Sequence, residues 1–170
     1  MAADWTLRDE QRRDAAAIGD LVRAAFDGAP HSDGTEAATL DGLRRAGALR
    51  LSLVAEQDGA LVGQVVFSPV TVDGADMGWL GLGPIAVRPD RQGQGIGDAL
   101  VRQGLARIAV AGAAGCVVLG DPGYYRRFGF RAEPGLMLPG PPPEYFQALI
   151  LNGPAATGVV AYHPAFSAPA

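Results

Sequence analysis

The segment 88–100, RPDRQGQGIGDAL, places Gly93, Gly95 and Gly97 at alternate positions between an apolar run and a long helical pattern. Each glycine costs conformational entropy on folding, so such density needs a reason. A strand pattern ends near Val87, Pro89 interrupts it, and a helix opens near Ile96. The first amides of that helix lack a partner inside it, and its dipole adds partial positive charge at the same end. Bare glycines let a bulky anion approach those amides. The stretch reads as a phosphate cradle or as a tight strand-to-helix turn with no ligand.

Composition narrows the ligand. The 170 residues are 48% hydrophobic and 19% charged, which suits one domain over 1–170 with a sizeable core. The net charge is −4 with no basic stripe, against the clustered positive charge a nucleic-acid partner would need. All 14 basic side chains are arginine, so a lysine-bearing phosphate loop and Schiff-base chemistry are both excluded. The one cysteine, Cys116, rules out an internal disulfide and lies in the apolar run GCVVLG, where it reads as structural rather than nucleophilic. The start has no signal-peptide core, and no stretch is long enough to span a membrane. A cytoplasmic protein without a membrane partner is expected.

The periodicity predicts a first strand at 4–8, a helix over 14–26 and a weaker helix over 35–47. Strands at 51–57 and 61–72 flank Asp58-Gly59, a hairpin signal, and a third follows at 78–87. These three would form an antiparallel meander, with Gly81, Gly83 and Pro84 hinting at a bulge or splay. A helix over 96–115 and a doubly buried strand over 116–120 come next. Residues 122–128 suggest a short helix, for which Asp121 is a cap candidate, and GFRA starts another strand. Further strands are expected at 145–151 and 158–163.

A dinucleotide fingerprint does not fit. Gly93 and Gly95 match its first two glycines, but Asp98 stands where the third belongs, and a meander precedes the motif. Another pattern fits better. Gln92, Gly95 and Gly97 spell Gln-x-x-Gly-x-Gly just after IAVRPD, and this resembles the coenzyme A signature of the GNAT superfamily of N-acetyltransferases. Downstream, GYYRRFGF (123–130) resembles the Tyr-x-x-Phe-Gly-Phe element of the same family. The order of elements also agrees. The resemblance covers residues 4–133 in topology and 84–130 in motifs, and the ending VVAYHPAF is similar to that of a bacterial branch.

The resemblance implies a mixed α/β fold, with a mostly antiparallel sheet splayed at its centre. It implies transfer of an acetyl group from acetyl-CoA to a primary amine of a small molecule or peptide, directly and without a metal. Backbone amides of Gln92, Gly93, Gln94, Gly95, Ile96 and Gly97 would hold the pyrophosphate, with Asp98 turned away. Ile85, Ala86 and Val87 would pair with the pantetheine arm as with an added strand. Tyr125 takes the family's tyrosine position and would protonate the departing thiolate. Tyr124 reads as packing, and Phe128 and Phe130 as core. Many relatives carry a carboxylate on the signature strand, and GWLGLGPIAV has none, which leaves the base unassigned. His31 and Glu36 are candidates for that base and for acceptor binding, with Trp79, Tyr145 and Phe146 as pocket walls. Relatives often pair through C-terminal strands, so a homodimer is an expectation. The contending reading is a non-catalytic CoA-binding or regulatory module of the same fold.

Overall fold

The computed structural model describes residues 4–30 and 32–167. A six-stranded sheet forms its centre: β1 (Thr6–Asp9), β2 (Leu51–Gln57), β3 (Ala60–Pro69), β5 (Trp79–Val87), β6 (Gly115–Leu119) and β8 (Phe146–Ile150), in that spatial order. All neighbours are antiparallel except β5 and β6. Between β2 and β3, Asp58 and Gly59 both take positive φ, 53° and 78°. That is the backbone of a two-residue hairpin turn, and Asp-Gly tolerates it.

Helices cover both faces. α1 (Ala15–Phe26) and α2 (Glu36–Arg45) bury Ile18, Val22, Leu40 and Leu43 against Val54 and Val66. On the other face α3 (Ile96–Val110) lays Ile96, Leu100, Leu105 and Ile108 on Leu53, Val65 and Phe67. Apolar residues in α3 recur at helical spacing, and this stripe is what docks it. Gly104 turns to the sheet there because the Phe67 ring lies where its side chain would be.

Three expectations change. The helix of 96–115 stops at Val110, because Gly112 (φ 96°) closes it, with Gly112 N bonded to Ala109 O (3.0 Å) and Ala113 N to Ile108 O (3.0 Å). The run 61–72 divides: β3 stays in the main sheet, while β4 (Thr71–Val72) joins a small one with β9 (Gly158–Ala161) and β7 (Leu136–Met137). GFRA is no strand but a single bridge, Arg131 to Ala148. α4 (Pro122–Tyr125) is capped by Asp121, whose Oδ1 accepts from Gly123 N at 2.9 Å. Among the described residues no helix is long and apolar enough to cross a membrane.

Candidate active site

The sheet comes apart at its middle. β5 pairs with β6 only from Trp79 to Leu82, opposite Gly115 to Val118. On its other side Val65 faces Ile85 and Phe67 faces Leu82, so Gly83 and Pro84 together oppose the single residue Val66. One extra residue bends a strand, and here the bend parts β5 from β6. Gly83 sits at φ 137°, where L side chains are strained.

The parted edge has a definite polarity. Arg88 N donates to Val62 O at 2.8 Å, which fixes the alternation along β5. Ala86 turns its amide and carbonyl to Gln64 on β3, while Ile85 and Val87 turn theirs outward. Gln92 Nε2 donates to Val87 O at 3.2 Å, in keeping with that direction. The expectation that Ala86 contacts a ligand through its backbone is therefore corrected. Its backbone pairs with β3, and its side chain is buried under α1 and α2.

A groove of about 510 Å³ follows this edge to the glycine turn. Ile85, Val87, Gln92, Gly93, Gly95 and Gly97 line it, with Tyr124 on the far side. Gly93 and Gly95 hold φ of 81° and 86°. Gly97 forms the floor: a Cβ there would meet Tyr124 Oη at 3.4 Å and Val87 Cγ2 at 3.6 Å. The first backbone bond of α3 runs from Ala99 N to Gly95 O (3.0 Å), so the amides of Ile96, Gly97 and Asp98 are open, as at any helix start. Ile96 lines the groove at its edge, since the residue as a whole is 1% exposed. Gln94 stands exposed outside the groove wall. Asp98, expected to turn away, lines the groove and is paired there with Arg102 at 2.8 Å along the helix. Arg91 and Arg127 also line the groove, the second with its guanidinium 4.4 Å above the Tyr124 ring. Sequence reading missed both, because an isolated arginine carries no spacing signal.

A second cleft of about 470 Å³ lies beyond Ile85 and shares that residue with the first. Tyr125, Glu36, Asp33, Leu82 and Pro84 line it, as does Tyr162 from the C-terminal tail. Tyr125 is 8% exposed, and its ring rests where a Cβ on Gly120 would be, 2.5 Å from Cε2. Burial, with a smaller contribution from Tyr124, pushes its phenol up to about 12. Glu36 accepts a hydrogen bond from Ser32 Oγ. Tyr162 and Phe166 were not expected here. The signal for Tyr162 lay in Gly81, since a Cβ on it would stand 2.6 Å from Tyr162 Cε1.

The remaining expectations divide. Trp79 is 2% exposed over Gly115 in the core beside the small sheet, so its expected place in a pocket wall is corrected. Phe146 is buried in the same core. Tyr145, next to it, is 42% exposed and lines an apolar groove with Leu119, Pro141 and Pro142. Phe130 is core, whereas Phe128 is half-buried under the Arg102 guanidinium. His31 lies outside the described residues. Cys116 is fully buried, and burial pushes its thiol up. Among the described residues no cluster of His, Cys, Asp or Glu fits a metal.

Two clefts meeting at a split between parallel strands make an architecture for transfer between two substrates. Comparison with known proteins gives it a family. The family described as acetyltransferase (GNAT) domain matches residues 49–132. The uncharacterized N-acetyltransferase YhbS of Escherichia coli K12 is 41% identical over 170 residues, covering 95% of this chain and 98% of that protein. A GNAT family acetyltransferase from Brucella melitensis, solved with acetyl-CoA, is 49% identical with a TM-score of 0.86, over 95% of this chain and 97% of that one. E. coli YhbS solved with CoA gives 38% identity and a TM-score of 0.89, over 99% and 94%. The chain belongs to the GNAT family of N-acetyltransferases.

Proposed function

We propose that this protein binds acetyl-CoA along the parted edge of β5 and passes its acetyl group directly to a primary amine in the adjoining cleft. The observation that carries this reading is the meeting of the two clefts at Ile85, with Tyr125 on the acceptor side. The open amides of α3 would hold the diphosphate, with Arg91 and Arg127 nearby. The outward backbone groups of Ile85, and the Val87 amide, would pair with the pantetheine amides. The Val87 carbonyl is already engaged by Gln92.

Acetyl-CoA supplies a thioester, which a neutral amine attacks: a C–N bond forms and the C–S bond breaks. Tyr125 then gives its hydroxyl proton to the departing sulfur, and solvent returns one to the phenolate. Burial keeps the phenol protonated at neutral pH. The same dry surroundings raise the basicity of a thiolate, so the two stay matched in direction. Glu36 lies in the cleft where it can take the proton the amine loses. A covalent route through Cys116 is disfavoured, because the only thiol is sealed in the core.

The test is thiol release from acetyl-CoA with a panel of primary amines. Turnover with at least one amine is expected. CoA binding without turnover on any amine would favour the non-catalytic module.

A further inference from the structure

We infer that the acceptor is a primary amine on an apolar body, with no carboxylate on the carbon that bears the nitrogen. The inference rests on the transferase reading above and names the acceptor class for that site. Charge is segregated between the two clefts. The groove assigned to CoA has Arg91 and Arg127 in its wall, and its one carboxylate among the described residues, Asp98, is paired with Arg102. The acceptor cleft has Asp33 and Glu36, and no arginine among its described residues. Asp33 is held ionised chiefly by the hydrogen bond from the Thr35 hydroxyl. An incoming ammonium is attracted there, and a carboxylate beside it is repelled.

The cleft continues, through Phe26, Ser32 and Leu119, into the apolar groove of about 650 Å³. Its only charged group among the described residues is Asp121. Leu119 and Tyr145, both more than 40% exposed, line it beside Pro30, Pro141 and Pro142. Large apolar side chains left in water along a groove suit an apolar ligand body.

An independent observation also points to a ligand. The hydroxyl of Tyr162, which lines the cleft, is buried and has no hydrogen-bond partner among the described residues. Burial holds it neutral, so it can donate or accept. A buried hydroxyl without a partner is costly, and a polar atom of a bound acceptor would relieve that cost.

The experiment uses three amines with one ring: 2-phenylethylamine, phenylalaninamide and phenylalanine. Thiol release is followed at saturating acetyl-CoA, and CoA affinity is measured separately by calorimetry. The first two should turn over, and phenylalanine should be at least about tenfold poorer in kcat/KM. A preference for phenylalaninamide over phenylethylamine would point to a peptide N-terminus as the source, and the reverse to a free amine. Glu36→Gln should narrow the discrimination against phenylalanine several-fold without changing CoA affinity. Tyr162→Phe should raise the KM for the amine while leaving the Tm unchanged or higher. Equal use of phenylalanine, or unchanged discrimination in Glu36→Gln, overturns the inference. So does refusal of all three amines by a protein that binds CoA, which leaves the CoA site standing. Failure to bind CoA would instead overturn the transferase reading itself.

Discussion

Tyr124 and Tyr125 stand edge to face, ring centroids 5.0 Å apart and planes at 87°, and they line different clefts. One short helix thus gives one aromatic wall to each proposed substrate. Tyr125→Phe keeps the ring and removes the proton. It should lower kcat by roughly 10²-fold with little change in CoA affinity. Cys116→Ala should keep most of its turnover. Measured side by side on one amine, a dead Cys variant and a healthy Phe variant would reverse both assignments.

The pH profile follows from the same group. Burial raises the phenol to about 12, so it stays protonated below that value and is lost as a donor only above it. Turnover should not fall between about pH 8 and 10 through loss of this proton. An alkaline limb near pH 9 that disappears in Tyr125→Phe would contradict the raised value while leaving Tyr125 as the acid.

Gly120→Ala tests the seating of that ring. A Cβ at this position would lie 2.5 Å from Tyr125 Cε2, so the ring must move. Overpacking of this kind costs about 1–3 kcal/mol. The variant should melt lower and lose kcat while still binding CoA, as read by thermal denaturation and calorimetry.

Away from the site, Asp14 is buried and accepts from Arg8 at 2.8 and 3.0 Å and from Gln11 N at 2.6 Å. Its pKa is lowered, chiefly by the Arg8 hydrogen bonds. With a depressed folded-state value, the stabilisation is full above the unfolded carboxylate value of about 3.9 and is lost as pH falls through the folded one. Asp14→Asn should cost about 2 kcal/mol at pH 7, with the gap to the parent closing below about pH 4. Urea unfolding at both pH values checks it.

Local chemistry was legible where it decides the structure alone. Asp58-Gly59 marked its hairpin, and the glycines of 93–97 marked the turn into α3. What escaped depends on distant partners. Trp79 and Phe146 read as pocket walls, but the small sheet formed by 71–72, 136–137 and 158–161 builds a core around them. Two-residue strands leave no period to detect. Tyr162 reaches the cleft only because Gly81, some 80 residues earlier, leaves room for its ring. Ala86 shows a finer limit: three successive residues were assigned to one edge, although strand alternation turns the middle one the other way.

The central claim is that the groove between β5 and the start of α3 is the CoA site, and Gly97→Glu tests it most directly. Gly97 needs no positive φ, and a Cβ there points into the groove beside Tyr124, Val87 and Ile85. The substitution fills the floor and sets a negative charge against the diphosphate. Titration calorimetry with CoA should show binding to the parent and at least a 10²-fold loss in the variant, with both proteins folded by circular dichroism. Equal affinity in the two folded proteins would place CoA elsewhere and contradict the account.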